Sequence, residues 1–418
     1  MAFIIPTGKK LELSAEAEHL LRNQEIDENG PGTVLRDFRM LLDFAGRGDL
    51  RVTKGHLFPV RTLPEINERM THPLVRELKR PVQKSYPHIN GLYLLLRASG
   101  LTVIGSRGKS PVLQVDGDAL ECFSRLNAAE QYFTLLEAWL LRGWPDIIGE
   151  GRGRPYGIPR NFQEWSFVFA RIPSKGAGFD KDSAAESSIR YGMGWHNLAL
   201  LELFGLLSIV PGPPGESGGW GIRSIHRTAW GDAVLVLLEG SFFKDFDPFE
   251  DPQDEGDQIV VGRMQPAVRL YFPQCRNKLV ITKPGFQDGV HTFKVSLGRV
   301  WLRIAISATE VLDRFADLIL ASVRFDYDHL YLFRYKNRFG STEEVNHRYI
   351  DERPWATDVQ IGELGLIIGQ TMTFLYDFGD MWEFDIRLEK VDVDRTLEEP
   401  ELIDMHGEPP RQYGGWDE

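Results

Sequence analysis

Cysteine is nearly absent from this chain of 418 residues: Cys122 and Cys275 are the whole complement, far apart and in no paired spacing. Two isolated thiols can build neither a thiolate zinc cage nor a disulfide framework, so both read as small buried apolar residues. Long apolar runs are missing as well. The longest, AVLVLLEGSFF (233–243), is broken by Glu239 and falls far short of the roughly 20 residues a membrane-spanning helix needs. The opening MAFIIPTGKK has an apolar triplet ended by Pro6, but no basic start and no small-residue cleavage site. The sequence therefore predicts a soluble cytoplasmic protein with no membrane partner.

What is present is the composition of an ordinary globular protein, 42% hydrophobic and 26% charged, long enough for about two to four domains. The net charge of −12 is unevenly placed: Lys plus Arg against Asp plus Glu is 28 to 27 over residues 1–240 and 20 to 33 over 241–418. Within the first part, residues 51–110 hold eleven bases against three acids. Screening over about 10 Å lets such a local excess attract a polyanion although the whole chain is acidic.

The pattern VLRDFRMLLDFA (34–45) has helical periodicity and is ended by GRGD; a short polar hairpin-like piece, LRVTKGHLF (50–58), follows. A second unit then runs helix (90–100), strand LTVIG, basic loop SRGKS (106–110), strand PVLQV and a helix opened by DGDALECF. A third unit repeats the order from HNLALLELFG (196–205) through LLSIV, the loop PGPPGESGGW and GIRSIHRT to a helix opened by GDAVLVLL. The copies align at Gly100-Leu101 with Gly205-Leu206 and at Gly117–Ala119 with Gly231–Ala233; their intervals, 17 and 26 residues, differ in the loop, where insertions are tolerated.

This order resembles the winged variant of helix-turn-helix, in which a helix can enter the major groove while the wing touches phosphate. We expect DNA or RNA contact through Lys54, Arg107 and Lys109, supported by Arg76, Lys79, Arg80 and Lys84. The third unit's loop carries no base, so the earlier module is the candidate. Winged-helix modules also serve as scaffolds, and a solvated basic face is the plain alternative.

Residues 144–192 are rich in Gly, Pro and Arg (Arg152, Arg154, Arg160) and read as a loop-rich connector. The acidic stretch FKDFDPFEDPQDEGDQ (243–258) reads as a domain boundary. The expected organisation is a helical, winged-helix-like domain over 1–143, the connector 144–192, a second winged-helix-like module over 193–243, an acidic linker 244–263 and a C-terminal domain 264–418. The fold class is α+β, with an antiparallel sheet and one main amphipathic helix in the C-terminal domain.

That domain contains HTFKVSLGRVWLRIAIS (291–307), in which Val300, Leu302, Ile304 and Ile306 alternate with Trp301, Arg303 and Ala305 as in a strand. Ser307 and Glu310 fit a capping box for the helix that follows. Around FLYDFGDMWEFDIRLE (374–389), Met372 just before it and Phe374, Tyr376 and Phe378 are expected on one strand face and Trp382, Phe384, Ile386 and Leu388 on one face of the next, with Glu383, Asp385, Arg387 and Glu389 turned to solvent. Gly379-Asp380 is then the turn, Gly379 supplying unusual backbone angles and Asp380 bonding nearby amides. The letters Asp377-Phe378-Gly379 also spell the kinase magnesium tripeptide, but no catalytic loop or glycine-rich strand pair accompanies them.

The pieces FKVSLGRVWLRIAI, FDYDHLYLFRY (325–335), MTFLYDFGDMWEFDIRLEKV (372–391) and GEPPRQYGGW (407–416) resemble the plasmid pRiA4b ORF-3-like family over roughly 264–418. The family motif falls on His329, Tyr331, Phe333, Asp377, Gly379, Asp380 and Trp382. The resemblance implies a bacterial or archaeal α+β protein, often carried by plasmids or other mobile elements, with no established activity. The family's tail has an acidic pair and a cysteine before Gly-Gly where this chain has Arg411, Gln412 and Tyr413, so no role is carried over to the tail.

His329 with Asp326, Asp328, Asp377 and Asp380, together with His347, could hold a divalent metal if the fold brought them together; His329, Asp377 and Asp380 are the metal candidates. No cofactor is otherwise expected. The plainer reading pairs His329 with an aspartate across the sheet and packs Tyr331, Phe333, Tyr376, Phe378 and Trp382 as one core face. No serine or tyrosine nucleophile sits in an arginine constellation, and no catalytic residue is assigned. The expectation is a non-enzymatic protein that contacts nucleic acid through its N-terminal part and a protein partner through its acidic C-terminal domain. The alternatives are a metal-dependent hydrolase or nuclease and a purely structural interaction protein.

Overall fold

The computed structural model describes residues 13–48, 50–74, 80–107, 110–151, 159–178, 189–213, 220–245, 254–255 and 257–413. The chain forms two compact units, Met1–Val103 with Leu113–Thr282, and Ile104–Val112 with Lys283–Glu418. Among the described residues no helix is long and apolar enough to cross a membrane.

The first unit opens with helices α1 (Ala15–Asn23) and α2 (Val34–Ala45), the latter as periodicity predicts. Short strand β1 (Leu50–Arg51) and helix α3 (Leu63–Arg69) lead to α4 (Pro87–Ala98). Then come the hairpin β2 (Thr102–Arg107) and β3 (Ser110–Val115), followed by α5 (Gly117–Ser124) and α6 (Ala128–Arg142). Helix α7 (Asn161–Arg171) and strand β4 (Ala177–Gly178) precede α8 (Trp195–Leu203), strands β5 (Leu207–Pro211) and β6 (Ile222–Arg227), and α9 (Ala229–Ser241).

The repeat read from the sequence has a structural counterpart. Helices α4 and α8 are each followed by a glycine at positive φ, Gly100 (76°) and Gly205 (71°), and each then enters an antiparallel pair of strands. A short third strand completes each sheet, in the orders β1-β3-β2 and β4-β6-β5. Asp116 and Thr228 cap the closing helices, accepting from the N–H of Ala119 and Gly231. Their own N–H groups return to the residue after the glycine, Asp116 to Leu101 O (3.0 Å) and Thr228 to Leu206 O (3.3 Å). The helix that opens the first copy starts earlier than expected, at Pro87, and Arg107 and Ser110 belong to the strands rather than to a loop.

Helix α4 is buried along its whole length and α6 from Ala129 to Leu141, the pattern of helices packed on every side. Helices α4 and α8 touch at Gly91, where a Cβ would lie 2.9 Å from Leu200 Cγ and 3.0 Å from the His196 carbonyl. The stretch expected to be loop-rich contains α7. Its Phe162, Trp165 and Phe169 are buried at helical spacing, and Trp165 stacks on Trp139 at 6.2 Å. Of the connector's arginines, Arg152 and Arg154 lie outside the described residues, and Arg160 is exposed just before α7.

Beyond the acidic stretch, of which 246–253 and 256 lie outside the described residues, the chain adds β7 (Asp254–Glu255), β8 (Gln258–Val261), helix α10 (Gln265–Val268) and β9 (Leu279–Thr282) to the first unit. Two buried carboxylates of α6 hold this segment. Glu137 accepts from the N–H of Gly262 (2.8 Å) and Met264 (2.9 Å), and Glu130 from those of Arg276 and Asn277 (both 2.7 Å). Both cysteines are free; Cys275 is buried, and burial beside Glu130 pushes its thiol up to about 12, while Cys122 is half-buried and accepts from the Val280 N–H.

The second unit is α+β. Strands β10 (Val290–Leu297), β11 (Val300–Ser307), β12 (Tyr331–Lys336), β13 (Thr342–Asn346), β14 (Thr371–Tyr376), β15 (Trp382–Asp392) and β16 (Glu401–His406) form one antiparallel sheet in the order β13-β12-β14-β15-β10-β11-β16. Helix α11 (Leu312–Val323) covers one face; its Phe315 and Ile319 pack with Phe293, Ile304, Phe374 and Phe384 in a fully buried core. The expected capping box at Ser307 and Glu310 does not form. The helix starts at Leu312, and the N–H groups of Leu312 and Asp313 donate instead to the carbonyls of Val359 and Ala356.

Candidate functional site

The hairpin at 374–389 pairs Phe374 with Phe384 and Tyr376 with Trp382 across β14 and β15. Met372, Phe374 and Tyr376 are buried as expected, and so are Phe384, Ile386 and Leu388. Phe378 is not: it lies beyond the strand and is exposed. The turn also differs from its expected form. Positive φ falls on Asp377 (57°) and Met381 (56°), with none at Gly379. Asp377, not Asp380, makes the turn's bonds, accepting from the Gly379 N–H at Oδ1 (2.8 Å) and from the Met381 N–H at its carbonyl (2.7 Å). The glycine eases this approach, because a Cβ there would stand 3.2 Å from Asp377 Oδ1 and the carboxylate would have to give by a few tenths of an ångström.

The β12–β14 register, Tyr331 opposite Tyr376, sets the residues just outside the strands side by side. Asp377 donates its N–H to Leu330 O (3.0 Å), which brings His329 Nε2 to 3.5 Å from both Asp377 Oδ2 and Asp328 Oδ1. The tail closes the cluster. Tyr413 OH lies 3.1 Å from Asp328 Oδ2 and 3.4 Å from His329 Nε2. The buried Gln412 accepts from the Asp326 N–H (2.5 Å) and donates to Tyr413 OH (3.0 Å). Tyr376 OH donates to the Asp326 carbonyl.

Desolvation, reinforced by the Asp328 carboxylate it donates to, pushes the Tyr413 phenol up to about 12, and burial likewise raises Tyr376. Neither ionises near neutrality, so both stay donors. The cluster thus joins three separate segments, the tail 412–413 to 326–329 by hydrogen bonds and 377–381 to 326–329 by the 3.5 Å contact of Asp377 with His329, which is the arrangement of a clasp.

Of the family-motif residues, His329, Asp377 and Gly379 are in this clasp. Tyr331 and Phe333 are buried in the sheet core, with Tyr331 OH donating to Asp313, and burial together with that carboxylate raises the Tyr331 phenol. Trp382 is half-buried against Phe325 at 4.9 Å. Asp380 is exposed and makes none of the clasp contacts, and His347 packs edge-on against Tyr331 at 4.7 Å instead of joining them. Among the described residues no three His, Cys, Asp or Glu side chains are arranged to hold a metal ion. Gln412 and Tyr413 were not singled out by sequence; the one signal for them was that the tail belongs to the stretch carrying the family resemblance.

Of the bases expected at a nucleic-acid surface, Lys54 is exposed in the turn after β1, and Arg80 and Lys84 are exposed ahead of α4. Arg107 is exposed at the end of β2, in the segment that groups with the second unit. Arg76, Lys79 and Lys109 lie outside the described residues. The basic excess is partly spent within the chain: Arg97 is buried and donates to the Thr102 carbonyl (2.7 Å), and the exposed Arg69 pairs with Glu65 (2.9 Å) on the surface.

A C-terminal domain of one antiparallel sheet, one covering helix and a clasped tail is therefore the unit that can be compared with known proteins. Residues 291–418 match the model of the plasmid pRiA4b ORF-3-like protein family. The uncharacterized protein y4hQ of Sinorhizobium fredii is 31% identical over 119 residues, 28% of this chain and 60% of that relative, so the match spans less than two thirds of its length. A crystal structure of a protein of unknown function from Methanosarcina mazei Go1 matches with 21% identity and a TM-score of 0.26 over 28% of this chain and 70% of the other.

Proposed function

We propose that the protein contacts nucleic acid without catalysing a reaction, that its two helix–hairpin–helix repeats are winged-helix-like modules, and that its acidic C-terminal domain takes a protein partner. A link to plasmids or other mobile elements accords with the family matched by residues 291–418. The observation that carries the reading is the repeat itself: the same glycine, hairpin, third strand and capped helix occur twice along the chain. Exposed Lys54, Arg80 and Lys84 accompany the first copy and supply mobile cations of the kind that position phosphate. The clasp is read as structural, because its polar atoms bond to one another.

The test is titration of the full chain with labelled double-stranded DNA and with RNA. Four phosphate contacts would weaken binding roughly a hundredfold between 50 and 200 mM salt. Replacing Lys54 and Lys84 together by alanine should lower affinity evenly across sequences and flatten the salt slope by about 2. Arg107→Ala is measured by itself. Failure to bind either polymer at low salt, or a double variant with unchanged affinity and slope, would leave the repeats as scaffold.

A further inference from the structure

The first unit contains a half-enclosed cleft of about 430 Å3 lined from the turn after α6, the start of α7 and the start of α8. We propose that this cleft binds a small organic cation, an ammonium or amidinium on a compact apolar body, between the carboxylates of Glu150 and Glu164 and the imidazole of His196. None of its lining residues belongs to the clasp or to the bases assigned above to phosphate, although Lys84 acts on Glu150 through its charge, and the proposal goes beyond the nucleic-acid reading.

The amides at the cleft floor have their partners already. Asn197 donates to Met193 O (2.8 Å) and Asn161 Oδ1 (3.2 Å) and accepts from Trp139 Nε1 (2.8 Å). Asn161 donates to the carbonyls of Trp139 (2.7 Å) and Gly143 (3.0 Å). These two residues are scaffold, and they fix α7 against α8.

The acceptors above them are under-used. Among the described residues the Glu164 carboxylate receives only the long 3.5 Å contact from Asn197. His196 is 4% exposed, and its Nε2 has no hydrogen-bond partner among the described residues. Its Nδ1 lies 3.4 Å from Glu150 Oε2, close enough for attraction but outside hydrogen-bond alignment. A buried polar atom without a partner is rare in a folded protein and commonly marks a missing ligand or water. Donors are what these groups lack, and a cation supplies donors with the matching charge.

Charge argues the same way. Among the described residues, Asp146, Glu150 and Glu164 line the cleft together with Arg160, which is exposed, and His196. Burial pushes the Glu164 carboxyl up to about 7, against the pull of Arg160 and Asn197. Burial acts on Glu150 too, but His196, Lys84 and Asn90 outweigh it and hold that carboxyl below the usual range. Of the two carboxylates proposed to take the cation, Glu150 is therefore ionised near neutrality and Glu164 is one that an arriving cation would ionise. Trp144 and Met193 provide apolar wall for the body of the molecule.

Calorimetric titration of the full chain with benzamidine, with neutral benzamide as the matched control, tests this. Saturable binding of benzamidine at pH 8 and none of benzamide is expected. Because Glu164 must lose its proton to pair, affinity should fall about tenfold from pH 8 to pH 6. Glu164→Gln should weaken binding at least tenfold and abolish that pH dependence; should this variant not fold by circular dichroism, Glu150→Gln should weaken it to a similar extent. N-acetylarginine amide separates the sources of the cation: competition with benzamidine admits a peptide's arginine, and no competition confines the cleft to free small molecules. Absence of saturable binding at pH 8, equal binding of benzamide, or a folded Glu164→Gln that keeps both affinity and pH dependence would overturn the proposal.

Discussion

At residue 377 the backbone must take φ of 57°, an angle at which Cβ crowds the following carbonyl and which most side chains occupy at a cost of about 1–2 kcal/mol. Aspartate tolerates it because its short side chain bonds locally, here to the Gly379 N–H. Its other oxygen faces His329 at 3.5 Å, a contact on a partly exposed imidazole and worth only about 0–1 kcal/mol. The two roles separate by substitution. Asp377→Asn keeps the turn and drops the charge, so it should cost under about 1 kcal/mol, whereas Asp377→Ala should cost about 2–3 kcal/mol. Urea unfolding midpoints decide; equal losses would mean that the ion pair, not the turn, is what Asp377 is for. Tyr413→Phe removes the hydroxyl that ties the tail to Asp328 and His329 and should cost about 1 kcal/mol, with faster amide exchange at 326–329. His329 and Asp377 were visible in the sequence as motif letters, while the pairing expected for His329 was with an unspecified aspartate; the structure sets Asp328 and Asp377 equally near it. The assignment of turn angles to Gly379 was not correct, because a glycine can ease a close approach as well as supply positive φ. Tyr413 was hidden by distance: it meets His329 across 84 positions of chain, and no local pattern encodes that return.

Elements were legible where their pattern is complete within themselves. Helix α2 carries its apolar stripe and its stop signal in twelve residues, and strand β11 alternates cleanly. The start of α11 was misread because its first N–H groups are served by Val359 and Ala356, carbonyls roughly 45 residues downstream in chain. Helix α7 was obscured by glycine and proline on its N-terminal side, although Phe162, Trp165 and Phe169 carry the helical spacing. The α4–α8 contact shows how such elements constrain single residues. Alanine at position 91 would gain about 1 kcal/mol of helix propensity, yet its Cβ would meet Leu200 Cγ at 2.9 Å and the His196 carbonyl at 3.0 Å. The clash involves backbone and should win, so Gly91→Ala is expected to lower stability by about 1–3 kcal/mol. A thermal midpoint at or above that of the parent would show that the helices can part at no cost.

For the whole molecule the charge asymmetry could be read from composition, but the place where the chain leaves its first unit could not. An acidic, proline-bearing stretch at 243–258 looks like a linker, and yet residues 258–282 return to α6. What brings them back is a pair of carboxylates that sequence alone shows only as two glutamates on a helix. Cutting the chain at residue 243 would take from Glu130 and Glu137 the N–H groups of Gly262, Met264, Arg276 and Asn277 together with the segment that covers them. At the limit where it stays buried, each orphaned charge costs about 3–5 kcal/mol, which approaches the whole stability of a domain. A fragment ending at 282 is therefore expected to unfold cooperatively, and one ending at 243 to lack a cooperative transition. The same carboxylates set an acid limit. Burial alone would raise Glu130, but the N–H groups of Asn277, Asn127 and Arg276 outweigh it and hold its carboxyl below the usual value. A carboxyl depressed in the folded state adds stability that is present above its unfolded value, about 4.3, and is lost as pH falls through the folded one. The 1–282 fragment should accordingly lose stability below about pH 4, and Glu130→Gln should both weaken it at pH 7 and flatten that acid limb. A folded 1–243 fragment, or an acid limb unchanged by Glu130→Gln, would mean that the segment returns for its apolar contacts, among them Phe272 on Phe133 at 5.1 Å, and that the carboxylates follow rather than lead.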